Sequence, residues 1–387
     1  APGHGPGGGR PSGRSRGQGN GAPPSRDGTP ALLPAPPHPP RARFPSQAGP
    51  PALPAPGCWA WTCRAGFEPH LFEALAWQGL APVPLCEGLV LSAPPAAGTQ
   101  PPAFARTGFQ LVAAVPDMAD VPAAAARLHH RGEGPICLHA WVPDTDEGNR
   151  LAPSLAALQA TLEEALGARL SDFESARRRG GQVLQACLLP GGAVLLGLHA
   201  AAEALSPAPG GRMRMWRESG TSRASLKVEE ALAWLGQAPG KGEVCVDMGA
   251  APGGWTERLL ARGARVVAVD PARMAPHLSL NPRMQHARES AFAYAPDVPV
   301  DWLFCDMAWR PLEVAALLAR WGRQRWATWL VANIKLPMQD KNPLLHRVRH
   351  VLEVHGGWQR LQVRQLYHDR DEVTVTAVRP PGGAFGA

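Results

Sequence analysis

The chain has 387 residues, with 39 lysines and arginines against 32 aspartates and glutamates and a formal net charge of +7. That length predicts two or three folded units with enough chain to bury a real core, and the basic balance favours a polyanionic partner such as nucleic acid. No apolar run approaches the roughly 18 residues a membrane-spanning helix needs, and the opening residues lack the apolar core of a secretory leader.

Residues 1–56 are rich in Gly, Pro, Arg and Ser. They cannot bury enough apolar surface to order themselves, so a disordered basic tail is expected. Order begins near Trp59. CWAWTCRAGF predicts a short strand and turn, EPHLFEALAWQG an amphipathic helix ending at Gly79, and CEGLVLSA and FARTGFQLVAAV two further strands. PAAAARLHHR is helical in character, GPICLHAWVPD is a strand with a turn, and SLAALQATLEEALGARL is an amphipathic helix. GQVLQACLLPGGAVLLGLHA reads as a hairpin about Pro190, Gly191 and Gly192. Residues 57–205 are thus a small α+β unit or a pair of them, without a catalytic constellation. Residues 206–224 form a polar connector carrying Arg212, Arg214, Arg217 and Arg223, where a nucleic-acid backbone has room to lie.

The second unit spans residues 225–381 and leaves a short flexible end at 382–387. SLKVEEALAWLG is a helix. GEVCVDMG is a strand closing on Asp247, GAAPGG a turn, WTERLLARG a helix, and ARVVAVD a second strand closing on Asp270. Glycines let a backbone approach a ligand closely. An acid about 20 residues on, at the end of the second strand, accepts hydrogen bonds from both ribose hydroxyls of a nucleoside. A dinucleotide binder would carry GxGxxG to hold a pyrophosphate. GAAPGG, with Pro252 inside it, suits S-adenosylmethionine instead, whose sulfonium replaces the phosphates.

RESAFAYAP sets Ser290 after a third strand, in the loop that touches adenine in such folds. VDWLFCDMAW is a fourth strand closing on Asp306, PLEVAALLARWGRQ a helix, and WATWLVANIKLPM a fifth strand closing on Lys335. NPLLHRVRHVLEVHGG is another helix, and WQRLQVRQLYHDRDEVTVTAVRP is strand, loop and strand with Glu372 opening the last. The alternation predicts an α/β, Rossmann-like sheet, mostly parallel, covered by helices on both faces and finished by an antiparallel edge.

Only four basic residues are lysines: Lys227, Lys241, Lys335 and Lys341. Lys335 follows the apolar run WLVANI directly, which sets a compact amine at a strand end. No Asn/Asp-Pro-Pro-aromatic loop for gripping an exocyclic amine follows the fourth strand, and no Pro-Cys pair marks a base-carbon nucleophile. A hydroxyl substrate fits better. A ribose 2′-OH needs its proton removed as it attacks, and a lysine can take it when its pKa falls. Burial and a neighbouring cation lower that pKa, while a carboxylate raises it but orients the amine. Arginine stays protonated and cannot substitute. Taken alone, Lys227 also fits the polar face of its helix, and Asp371 rivals Glu372. Lys341 reads as a loop residue with a possible phosphate contact, and Tyr367 and His368 as substrate contacts or structural groups. The cysteines Cys58, Cys63, Cys86, Cys137, Cys187, Cys245 and Cys305 are odd in number and widely spaced, with no CxxC pair. No metal site is expected, a reducing cytoplasm fits, and the last three read as buried thiols.

The segments SRASLKVEEA, VDMGAAPGGWT, FCDMAWRP, NIKLPM and YHDRDEVTV together resemble the bacterial ribose 2′-O-methyltransferases of large-subunit ribosomal RNA that carry a Lys-Asp-Lys-Glu tetrad. The likeness extends over about residues 59–380, more weakly in the first part. It implies a THUMP-like RNA-binding region at 57–205 and a tetrad of Lys227, Asp306, Lys335 and Glu372, with Lys335 as proton acceptor. It implies S-adenosyl-L-methionine as cofactor, and the contact set expected for it is Ser225, Asp247, Gly249, Ala251, Pro252, Gly253, Gly254, Trp255, Asp270, Ser290 and Asp306. The implied substrate is a cytidine ribose in the peptidyl-transferase region of the large-subunit RNA, and a monomer is expected. Two positions depart from the family pattern: Ala224 then Ser225 stand where a cofactor-contacting Ser precedes the first lysine, and Ser290 stands where an acid is common, beside Glu289. The alternatives are a methyltransferase for another RNA, and a non-catalytic RNA-binding or assembly factor on the same fold.

Overall fold

The computed structural model describes residues 52–128, 134–214 and 223–379. Most of the expected basic tail, the middle of the connector with Arg217, and the C-terminal end lie outside the described residues.

The first part builds a mixed sheet. Its strands are β1 (Trp59–Thr62), β2 (Val83–Cys86), β3 (Leu89–Ser92), β4 (Thr107–Val115), β5 (Ile136–Trp141), β6 (Gln182–Leu188) and β7 (Val194–Ala200). Helix α1 (Glu68–Trp77) follows β1, and α2 (Val121–Leu128) follows β4. The strand order is β2-β3-β1-β4-β7-β6-β5. β5 and β6 are parallel, so they need a crossover. It is made by α3 (Asp146–Arg150), α4 (Ala152–Leu166) and α5 (Phe173–Arg178). The expected hairpin is β6–β7, antiparallel from Gln182↔Ala200 to Leu188↔Val194.

The second part opens with α6 (Arg223–Leu235), then alternates β8 (Val244–Met248), α7 (Gly254–Ala261), β9 (Arg265–Val269), α8 (Pro276–Ser279), β10 (Met284–Ala287) and β11 (Val300–Cys305). It continues through α9 (Pro311–Arg323), β12 (Ala327–Lys335), α10 (Lys341–His350), β13 (Gln359–Arg364) and β14 (Glu372–Val378). The sheet order is β10-β9-β8-β11-β12-β14-β13. β10, β9, β8, β11 and β12 run parallel, and β14 is antiparallel to both its neighbours. This is a mixed α/β, Rossmann-like sheet. β11 is central because VDWLFC is apolar on both faces, as a strand covered on two sides must be. On α9, Pro311 opens the helix, and Val314, Leu317, Leu318 and Trp321 bury one stripe at helical spacing.

The end of the chain makes the expected antiparallel edge, with the two last strands in reversed spatial order. β14 inserts between β12 and β13, so β14 is an interior strand with every residue buried and β13 forms the edge. Val373, Val375 and Ala377 need an apolar cover that an edge strand lacks. One hydrophobic core joins the two parts: Trp61, Leu71, Leu75 and Phe104 cluster with Leu318, Trp321, Ile334 and Val375. Each fully buried side chain of this size contributes roughly 1.5–3 kcal/mol. Asn342 on α10 reinforces the joint, its Nδ2 donating to His70 O at 2.8 Å and Glu73 Oε2 at 2.7 Å on α1. Lys341 is not on an open loop. It begins α10, is 5% exposed, and donates to the carbonyls of Pro337 and Met338, so its amine caps its own turn and offers little to a phosphate. Cys187, Cys245 and Cys305 are buried free thiols.

Candidate active site

β8 pairs with β9 on one side and β11 on the other, so the chain switches direction there and opens a crevice beyond the strand C-termini. The turn after β8 lines it. Gly249 has φ +75°, and a Cβ on it would lie 2.9 Å from Met307 Cγ and 3.2 Å from Asp306 O. Gly253 has φ +123°, and a Cβ there would lie 2.1 Å from Leu278 Cδ1. Both positive φ values strain any residue with a Cβ, and at Gly249 the added atom would also crowd the Asp306 backbone. The Ala251–Pro252 peptide is cis, and α7 starts at Gly254 without a side-chain cap.

Carboxylates surround this turn. Asp270, just past β9, accepts from Ala251 N–H at 3.2 Å and Ala272 N–H at 2.8 Å. Asp247 is 1% exposed and accepts the Thr256 hydroxyl at 2.7 Å. Burial, with the charges of Asp306 and Asp270 adding and Thr256 opposing, pushes the Asp247 carboxyl up to about 7. Residues 247–256 include no lysine or arginine. A pyrophosphate would be repelled here, whereas a phosphate-free nucleoside with a sulfonium and an ammonium matches the charge. The residues present therefore fit S-adenosylmethionine.

The expected contact set does not all face the crevice. Ser225 is buried within α6, and the Trp255 ring sits in the core edge-on to Phe304 with centroids 6.0 Å apart. Ser290 is exposed, its hydroxyl accepting from Phe292 N–H at 3.3 Å.

Next to the turn, four chemical groups close a ring. The β12–β14 register pairs Lys335 directly with Glu372, while Asp306 follows β11 and Lys227 comes from α6. Lys335 Nζ lies 3.3 Å from Asp306 Oδ1 and donates to Glu372 Oε2. Lys227 Nζ pairs with Glu372 Oε1 and lies 3.8 Å from Asp306 Oδ2. Each carboxylate thus bridges both amines. Glu372 is the deepest, with its side chain 6% exposed, and Lys335 the most open at 34%. Asp371 faces solvent, so of the two acids only Glu372 turns to the lysines.

The charge balance differs from the expected fall in lysine pKa. Burial pulls the Lys335 amine down, but Asp306 and Glu372 outweigh it and hold the amine above its ordinary range. Burial pushes Glu372 up, but Lys227 and Lys335 outweigh it and hold that carboxyl below the usual range.

Glu230 is a residue the linear reading passed over. It is buried one turn after Lys227 on α6, and its carboxylate accepts the N–H groups of Tyr367 at 2.7 Å and His368 at 2.9 Å. It ties the loop that leads to Glu372 to the helix that carries Lys227. Its i,i+3 spacing from Lys227 was the available signal. Among the described residues, no helix is long and apolar enough to cross a membrane, and no group of three or more His, Cys, Asp or Glu side chains is placed to hold a metal.

The FtsJ-like methyltransferase family matches residues 221–319. The ribosomal RNA large subunit methyltransferase M of Alkalilimnicola ehrlichii is 34% identical over 356 residues, covering 85% of this chain and 96% of that protein. The protein of the same name from Laribacter hongkongensis is 35% identical over 345 residues, 82% of this chain and 95% of that one. The one from Halorhodospira halophila is 45% identical over 172 residues, 43% of this chain and 50% of that one.

Proposed function

The chain belongs to the ribosomal RNA large subunit methyltransferase M family, and on that premise we propose that it methylates the ribose 2′-OH of a cytidine in large-subunit (23S) ribosomal RNA, with Lys335 as general base. It is an S-adenosylmethionine-dependent methyltransferase. The observation that carries the reading is the ring of two amines and two carboxylates beside the glycine turn.

S-adenosylmethionine, when bound, supplies an electrophilic methyl on a sulfonium. The chain's own residues do the rest. Asp270 would hold the ribose of the cofactor, and the turn from Gly249 through Ala251, Pro252, Gly253 and Gly254 would meet it. Lys335, the most exposed of the ring, meets the substrate hydroxyl and takes its proton from the oxygen. Glu372 and Lys227 fix the direction of that amine. Asp306 is one of the two groups holding the amine up. A cation bound beside Asp306 would offset part of that pull and bring the amine down toward the pKa a base requires. Aligning the hydroxyl supplies much of the remaining rate.

Residues 57–205 serve in this reading as the THUMP-like RNA-binding region, 206–224 as the basic connector and 225–381 as the methyltransferase domain. The protein acts as a cytoplasmic monomer on RNA, without a metal. The mixed first sheet, built ahead of the second and joined to it through one core, supports the division into two regions.

The deciding experiment transfers tritiated methyl into protein-free 23S RNA and into assembled subunits, then maps the nucleotide. Lys335→Ala is expected to lose about 10²–10⁴ in rate while its affinity for S-adenosylhomocysteine stays unchanged. A variant as active as the parent removes Lys335 from the role of base, and label on a base rather than a ribose removes the reaction class.

A further inference from the structure

Where the first sheet, the connector and the second sheet meet, a small cavity of about 20 Å³ opens toward solvent. Arg106, Arg364, Glu230, Trp234 and Tyr367 are among its walls. Arg106 immediately precedes β4 and is 2% exposed. Its Nη1 pairs with Asp144 Oδ2 at 2.6 Å, while its Nε and Nη2 have no partner. Arg364 ends β13 and is 5% exposed. Its two terminal nitrogens donate to carbonyls of Leu205, Ala105 and Arg106, and its Nε has no partner. Arg212, from the connector, lies 3.0 Å from Asp144 Oδ1 and also keeps an unpartnered Nε. Both oxygens of Glu230 are already taken by the Tyr367 and His368 N–H groups.

Three guanidiniums therefore face two carboxylates, Asp144 and Glu230; the Arg106 and Arg364 planes also lie over the Tyr367 and Trp234 rings, at 5.1 Å and 5.3 Å, which leaves N–H groups at their edges unspent. A buried unsatisfied donor costs about 1–3 kcal/mol, and more when it is charged. Water can satisfy the donors but not the charge. A tetrahedral oxyanion does both, and the planar fork of arginine matches phosphate oxygens. The wall is also closely built. Gly211 has φ +70°, and a Cβ on it would lie 2.7 Å from Arg106 Cβ, so the connector backbone lies directly against the arginine.

We propose that this cavity binds a phosphate group, held by Arg106 and Arg364 at the joint between the two sheets. The site is separate from the methyl-transfer ring, and its test does not depend on activity. Inorganic phosphate is titrated calorimetrically into the full chain at constant ionic strength. One saturable site is expected in the parent, with Kd raised at least tenfold by Arg106→Gln. Asp144 keeps Arg212 in that variant. Should Arg106→Gln fail to fold, Met213→Asp, which sets a negative charge on the connector wall, is expected to raise Kd by at least the same factor. The absence of saturable binding in the parent, or an unchanged Kd in the folded variants, overturns the proposal. The source of the phosphate is read from the salt dependence of binding to a 23S RNA fragment. A log–log slope reduced by about one in the variants assigns the site to an RNA backbone phosphate. An unchanged slope alongside lost inorganic-phosphate binding assigns it to the free ion.

Discussion

Replacing Glu372 with Gln should shift the pH dependence of methyl transfer. The Lys335 amine donates to Glu372 and lies 3.3 Å from Asp306, and these two carboxylates hold it above its ordinary range against burial. A hydrogen bond to a charged group is worth about 1.5–3 kcal/mol, and one pKa unit corresponds to about 1.4 kcal/mol, so losing the Glu372 charge lowers the amine by about one to two units. The Lys335 side chain is 34% exposed, and solvent screening favours the lower figure of about one unit. A neutral amide also leaves Lys227 and Lys335 with Asp306 alone between them, which acts in the same direction. Because a base must be neutral to accept a proton, the rising limb of the rate profile moves about one unit toward acid. The neutral fraction at pH ~8 then rises about tenfold, even if a looser geometry lowers the plateau. Single-turnover transfer with saturating cofactor, followed from roughly pH 6.5 to 9.5, reads both quantities. A limb that stays in place, or moves to higher pH, refutes the assignment of Lys335 as a base tuned by Glu372.

Gly253→Ala is expected to weaken S-adenosylhomocysteine binding at least tenfold by calorimetry, because the added Cβ meets Leu278 and the backbone at φ +123° strains by about 1–3 kcal/mol; far-ultraviolet circular dichroism should stay unchanged. Asp247→Asn should stabilise the cofactor-free protein at pH ~8 by up to about 4 kcal/mol in urea unfolding. The raised carboxyl of Asp247 keeps its proton longer when folded, so the parent loses stability as pH climbs from about 4 to about 7 and the advantage of the variant vanishes below that window. Asn342→Leu removes both bonds to α1 and should cost about 1–3 kcal/mol in the same measurement.

Much of the second unit was legible along the chain because its signals are local. The apolar run of β11, the stripe on α9 and the glycines of the turn each report a constraint acting within a few residues. The final strand pair was harder. Glu372 and Asp371 are adjacent in sequence and chemically alike, and choosing between them depends on which face of β14 points inward. The insertion of β14 between β12 and β13 decides that, through a ladder that pairs Lys335 with Glu372, 37 residues further on. Lys341 misled for a similar reason: a polar run reads as a loop, but Asn342 and Lys341 are drawn inward by contacts with α1 and with the preceding carbonyls.

By itself the amino-acid sequence determined the alternating α/β order, the glycine turn, and which chemical groups stand at the ends of strands. Those follow from side-chain periodicity and backbone freedom, which act over short stretches of chain. Tertiary structure alone decided that Lys227, Asp306, Lys335 and Glu372 form one ring, that the Lys335 amine is held up rather than down, and that Arg106 and Arg364 share a cavity. These depend on distances between residues far apart in the chain and on the burial that sets how strongly their charges act on one another.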